Sequence, residues 1–305
     1  MPSTVVEGFP AMGYSGRYHA ASLVAVFIAL AIGILIGIGL ADDVVSGASE
    51  QLENSLRSDL DEAESQADDL GIELGRERDF GERIYPALVS NRLIGSSVAL
   101  VGFGQLSEQI AADVEAALAP AGATVEAVAV VSLPPDREAL ADAAPSRFSA
   151  AARRGGDGLV RLGRVAGAGL AGGSSTLDAL RATLFSRFSG ALDDVDRVVF
   201  AGGLPDDLEP EQQADSEDLM GGMLEGAAGS AAAVVGVERT GTDPTTLGPF
   251  SAAGIATVDH LDLIAGRVSL VFSLLGAGGD WGVKEGADSF LPELISPGPE
   301  QPPIP

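Results

Sequence analysis

Few side chains in this sequence are equipped for chemistry. The chain carries two histidines, His19 and His260, four methionines and no cysteine. The missing thiol excludes disulfide frameworks, thiolate catalysis, iron–sulfur clusters and cysteine-type zinc sites. Met220 and Met223, three residues apart on a predicted helix, would put two thioethers on one face. Thioether and imidazole are the donors that suit Cu(I) once thiolate is absent, although methionine at this spacing also packs cores. His260 lies between Asp259 and Asp262 at the end of a predicted strand. There it would make either a weak carboxylate–imidazole site or a hydrogen-bonded surface histidine. Met220, Met223 and His260 are therefore the candidate metal ligands, with copper as a bound or transported ion and no resident cofactor expected. His19 borders an apolar segment, so only one histidine remains for a Ser/His/Asp arrangement, and no catalytic triad is expected.

The glycine motifs are weaker signals. Gly102-Phe103-Gly104 closes a predicted strand, but Ser107 stands where a dinucleotide fingerprint needs its third glycine, and Glu126 lies near the start of the next strand instead of its end. Gly202-Gly203-Leu204-Pro205 could present backbone amides to an anion, but reads first as a tight strand-to-loop turn. Arg147, Arg153, Arg154, Arg161 and Arg164 form the one basic stretch, and residues 206–225 hold eight carboxylates and no base. These two segments are expected to pair, within the fold or between two copies. Forty-four acidic against eighteen basic residues leave a formal charge of −26, a field that repels nucleic acid.

The elements that position these residues begin with a membrane segment. Residues 20–41 carry no charge, and 22 helical residues would cover a hydrocarbon core of about 30 Å. Arg17 precedes the run and Asp42 and Asp43 follow it, so residues 1–19 are expected in the cytoplasm and the remainder outside. A retained signal anchor is favoured over a cleaved signal peptide by the length of the run, even though Gly39-Leu40-Ala41 offers small residues to signal peptidase. Ala29, Gly33, Gly37 and Ala41 make a small-residue stripe on which two such helices could approach. In the acidic stalk of residues 42–83, Leu56, Leu60, Ala63, Ala67, Leu70 and Leu74 alternate four and three apart, the spacing of a short coiled-coil seam, and predict a homodimer.

Residues 84–290 read as an extracytoplasmic α/β domain. Predicted strands at 96–103, 124–131, 196–201, 231–237 and 254–258 alternate with helices at 106–118, 176–188, 216–228 and 266–275. That alternation implies a mostly parallel, doubly wound, Rossmann-like sheet. Residues 133–175, interrupted by prolines and glycine pairs, read as an insertion or a loop with a short helix, and the proline-rich residues 291–305 as a disordered tail.

Several blocks taken in order carry a resemblance. The run from Arg17-Tyr18-His19-Ala20-Ala21-Ser22 through Ile32-Gly33, the coiled-coil stalk, the strand Val98-Ala99-Leu100-Val101-Gly102-Phe103, the turn Gly202-Gly203, Val258-Asp259, Gly266-Arg267 and Gly282-Val283-Lys284-Glu285-Gly286-Ala287 resemble the actinobacterial copper transport protein B (MctB-like) family. The resemblance implies a non-enzymatic role in copper transport or homeostasis at the cell envelope, with a proposed outer-envelope channel. The family also includes SteB-like septal envelope proteins, which implies an alternative: a dimeric scaffold that works with an envelope or cell-division partner to regulate peptidoglycan hydrolases. A β-barrel pore is not expected, because the predicted strands are short, continuously apolar and separated by helices.

Overall fold

The predicted alternation of strands and helices is realised as one seven-stranded sheet. A computed structural model describes residues 16–230 and 232–293, with backbone alone described at 16–19 and 38–53. The predicted tail beyond residue 293 lies outside the described residues. Helix α1 (Gly16–Val89) precedes the sheet. Two compact units divide at Gly75/Arg76. In the first, the helical segment Ala20–Gly37 has a mean hydropathy of 2.7 and none of it is buried, so it is long and apolar enough to cross a membrane. Leu56, Leu60, Leu70 and Leu74 are 57–70% exposed along the same helix.

The second unit holds the sheet. Strands β1 (Ser97–Phe103), β2 (Thr124–Val131), β3 (Phe185–Gly190), β4 (Arg197–Gly202), β5 (Ala233–Val237), β6 (Ala256–Val258) and β7 (Asp280–Trp281) lie in the order β3-β2-β1-β4-β5-β6-β7. All neighbours are parallel except β2 and β3. The connecting helices are α2 (Glu108–Leu118), α3 (Arg137–Ala143), α4 (Ser146–Arg154), α5 (Asp157–Ala168), α6 (Ser175–Leu184), α7 (Pro210–Ala228), α8 (Gly248–Ala252) and α9 (Ile264–Leu274). Alternate residues of each strand point to opposite faces, so the continuously apolar strands supply two cores. Ala99, Val101 and Phe103 of β1 pack with α3 to α7, whereas Val98 and Leu100 pack with α2, α9 and the last turns of α1. The α/β class with a doubly wound, mostly parallel sheet is therefore as predicted.

Three local readings differ. Residues 133–175 contain three helices rather than one short one. Glycine hid α5, because Gly163 and Gly167 interrupt its apolar periodicity in order to let α7 approach. A Cβ on Gly167 would lie 2.0 Å from the Met223 carbonyl oxygen, and one on Gly226 of α7 would lie 2.0 Å from that of Arg164. The predicted helix 176–188 stops at Leu184 and continues as β3, antiparallel to β2, with Phe185 opposite Val131 and Phe188 opposite Ala129. Leu177, Leu180, Leu184 and Phe188 have helical spacing, but the open edge of β2 captures the last of them. Finally, the two-residue β7 closes the other edge, where Trp281 bridges to Ser289.

The last turns of α1 are part of the second unit. Tyr85 and Val89 are buried, and the Tyr85 hydroxyl donates to the Ala117 carbonyl at 2.6 Å. Burial pushes the Tyr85 phenol well above its ordinary range, against the opposing pull of Arg267. Arg267 reaches Glu82 of α1 at 3.5 Å and Asp113 of α2 at 3.6 Å, and Arg239 meets Asp113 at 3.0 Å.

Candidate functional site

In an open parallel sheet the strand carboxyl ends share one edge, and a crevice forms where connections leave for opposite faces. Here that point lies between β1 and β4. Two crevices open along this edge. One, of about 350 Å³, is lined by Gln105, Ser107, Gly202, Gly203, Glu238 and Thr246, among others. The other, of about 200 Å³, lies toward β6 and β7 and includes Thr257, Asp259, Asp280, Trp281 and Lys284 in its wall.

Glu238 follows β5 directly and is 1% exposed. An isolated buried carboxylate would be prohibitively costly, so its partners are obligatory. It accepts from the Thr245 hydroxyl at 2.7 Å, from the Thr246 amide and hydroxyl at 2.8 and 3.1 Å, and from the Lys284 ammonium at 2.6 Å. Lys284, the only lysine in the chain, also donates to the carbonyls of Thr242 at 2.5 Å and Arg239 at 3.4 Å. The pair ties the loop after β5 to residues 282–287. On the next strand, the Asp259 carboxylate accepts from the backbone amides of Val283 at 2.9 Å and Lys284 at 2.7 Å. Gly282 is required by this close approach, because a Cβ there would overlap the Asp259 carboxylate at about 2.0 Å. Tied in this way, Glu238, Lys284 and Asp259 act as a clasp, in which the four acceptor positions of Glu238 and the three protons of Lys284 are all used within the protein.

His260 is fully buried, with its ring 5.1 Å from that of Phe290, centroid to centroid. Its Nδ1 lies 3.2 Å from Asp259 Oδ1 but neither ring nitrogen reaches hydrogen-bond geometry. Loss of solvation lowers its pKa, and the nearby carboxylates of Asp259 and Asp262 and the Trp281 carbonyl oppose the shift without reversing it. The imidazole is therefore neutral at pH 7. Asp262 is partly desolvated, which alone would raise its pKa, but hydrogen bonds from the Thr240 amide and hydroxyl, helped by Arg239, bring it below the ordinary value.

The two methionines stand elsewhere. Met220 and Met223, 4% and 0% exposed on α7, pack in the core between the sheet and α5. Their side chains share that core cluster, to which His260 does not belong. Among the described residues no three His, Cys, Asp or Glu side chains are grouped to hold a metal. Gly202, with φ of 77°, makes the predicted turn, and a Cβ there would lie 2.8 Å from the Gln105 carbonyl oxygen. Of the basic stretch, Arg164 pairs with Glu225 of the acidic segment, as expected, whereas Arg153 turns to Asp142 and Arg147 stacks on Phe148. The acidic segment's buried carboxylate, Asp215, is held by Arg137, outside that stretch, through two nitrogens. Burial raises the Asp218 pKa, aided by the Asp215 charge.

Sequence reasoning did not select Glu238, Asp280, Trp281 or Lys284 as a group. The available signal was a lone lysine between glycines in Gly282-Val283-Lys284-Glu285-Gly286.

The fold and the clasp define an α/β protein with, among the described residues, one helix suited to crossing a membrane and, at the strand carboxyl ends, loops tied together by paired charges. The chain belongs to the MctB family: the family described as copper transport outer membrane protein, MctB, matches residues 14–292. It is also similar to the proteins named copper transporter MctB from Mycobacterium bovis and Mycobacterium tuberculosis, at 30% identity over 111 residues. That stretch is 36% of this chain and 35% of each relative, so the match spans about a third of their length.

Proposed function

We propose that this chain serves copper homeostasis in the cell envelope as a non-enzymatic, single-pass membrane protein. Its N-terminus is cytoplasmic and its α/β domain extracytoplasmic. The observation that carries the reading is the family match over residues 14–292, which takes in both the apolar helix and the whole described sheet. The clasp supports a non-catalytic role, because its charged groups are consumed by one another. The sheet also bears on how copper would be handled. Its strands have two to eight residues and helices cover both faces, whereas a lipid-facing barrel needs strands of about nine to eleven residues alternating in polarity.

The test is copper tolerance and cell copper content in a strain lacking the chain, with restoration by the full-length protein. Unchanged tolerance and content would overturn the reading. Direct binding is a separate step, in which Met220, Met223 and His260 are the proposed ligands. Because all three are buried and the methionines stand apart from His260, they would serve as two separate sites, reached only if α7 or the segment over His260 opened. Restoration by a Met220→Leu, Met223→Leu, His260→Ala variant would show that tolerance does not need them.

One observation favours a second reading. Four exposed leucines on one helix, each contributing about 1.5–3 kcal/mol if buried, suit a second copy in a parallel coiled coil. A dimeric scaffold that engages an envelope or division partner and regulates peptidoglycan hydrolases would use that seam. Leu60→Asp with Leu70→Asp should then abolish cysteine-free chemical crosslinking of the dimer in membranes and impair cell separation while leaving copper tolerance intact.

A further inference from the structure

The 200 Å³ crevice is unusual in how its hydrogen-bonding groups are turned. Its lining includes five side chains with donors, and every one is committed within the protein. The hydroxyls of Ser251 and Thr257 both donate to the Asp280 carboxylate, at 2.7 Å each. Thr245 donates to Glu238 at 2.7 Å, and the Trp281 indole N–H donates to Ser273 at 3.0 Å. The Lys284 ammonium has three protons and three acceptors: Glu238, Arg239 and Thr242. A hydroxyl that has given its proton keeps its lone pairs, so the side chains left to meet a ligand are acceptors: three hydroxyl oxygens and the remaining lone pairs of Asp280. Glu285, exposed in the same lining, adds a further negative charge that has no partner among the described residues.

An anion would face side-chain acceptors and the charges of Asp280 and Glu285, the one cation of the lining, Lys284, being already spent, and a neutral polyol would be met only through its own donors. An ammonium group has three donors and no acceptor. Trp281, in the same wall, offers an aromatic surface of the kind that attracts a cation. The oxygen donors are a poor match for Cu(I), so this crevice is distinct from a thioether site for that ion. The geometry points to a binding site for a small primary amine, the ammonium seated against Asp280, Ser251 and Thr257 beside Trp281.

Trp281 is the only tryptophan in the chain and so reports on this wall alone. The test titrates the full chain in detergent micelles at constant ionic strength and follows tryptophan emission. Glucosamine and N-acetylglucosamine share a ring, and only the first carries an ammonium; 1,4-diaminobutane presents amines without a ring. A saturable response to glucosamine, to diaminobutane or to both, with none to N-acetylglucosamine or inorganic phosphate, is the expected result. Response to one amine alone tells a ring-borne from a chain-borne group. Asp280→Asn should weaken binding at least tenfold. Since Asp280 also holds two hydroxyls, Glu285→Gln at the exposed rim provides a second variant that keeps the fold, with weakening of a few-fold. The proposal is overturned by silence toward both amines, by an equal response to N-acetylglucosamine, by calcium or phosphate saturating the site in preference, or by amine binding that neither variant weakens.

Discussion

Two glycines on α7, five residues apart, should respond oppositely to the same methyl group. On helix propensity alone, Gly→Ala stabilises a helix interior by about 1 kcal/mol. At Gly221 nothing lies within 4 Å of the added Cβ, so Gly221→Ala should realise most of that gain. At Gly226 the new Cβ would lie 2.0 Å from the Arg164 carbonyl oxygen and 2.9 Å from the Ala168 amide nitrogen. Both atoms are backbone of α5, so no side chain can rotate away, and relief requires the helix pair to separate. Overpacking costs about 1–3 kcal/mol where side chains can yield, and a rigid backbone contact belongs at or above the top of that range. The net for Gly226→Ala is then a loss of about 2 kcal/mol or more. In a domain of this size 1 kcal/mol shifts Tm by roughly 2–4 °C. Thermal unfolding followed by circular dichroism should therefore show Gly221→Ala melting a few degrees above the parent and Gly226→Ala at least about 4 °C below it. If Gly226→Ala is as stable as Gly221→Ala, the close approach of α5 and α7 is refuted, and with it the account of why this region was hard to read.

Removing Asp215 should destabilise by about 1–2 kcal/mol, because Arg137, itself partly exposed, loses its two-nitrogen partner and keeps only the exposed Glu211; urea unfolding of Asp215→Ala measures it, and a change below 0.5 kcal/mol would count against the pair. Glu238→Gln should cost about 2–3 kcal/mol, discounted from the fully buried case because Lys284 is 21% exposed. Adding Lys284→Met should recover part of that loss, since no uncompensated ammonium then remains; a double variant less stable than the single would contradict the clasp. The folded pKa of His260 lies below the ordinary 6.5, so the unfolded chain takes up the proton first and stability falls as pH drops below about 6.5 toward the folded value. Urea midpoints at pH 7.5 and 5.5 should show that loss, and His260→Gln should reduce it.

The strands were legible because each central one holds an apolar run, as burial on both faces demands. Val98-Ala99-Leu100-Val101 and Thr124 to Val131 needed no further context. Residues 157–168 were obscured for the reason the glycine test addresses: small residues that serve a neighbouring helix erase the apolar stripe of their own. The turn from α6 into β3 depended on a free edge of β2, which only the strand order reveals. The site failed for a similar reason. Lys284 and Glu238 are 46 residues apart in sequence and meet because β5, β6 and β7 are consecutive in the sheet. A lone lysine read in isolation is a solvated surface charge, and its three acceptors come from a loop whose position no local pattern specifies.

The margins of the sheet bear on how copies of this protein can associate. Unpaired strand margins invite further strands, and proteins counter this by keeping them short, charged or turned aside. At one margin β3 has six residues, exposes Arg187 and ends in Gly190 at a φ of 85°; at the other β7 has two residues and is already bridged to Ser289. Neither side offers the long, flat, apolar template that would recruit a neighbour through main-chain pairing. Such guarded flanks keep main-chain pairing from joining one copy to another and leave self-assembly to side-chain surfaces, where sequence can tune its strength one residue at a time.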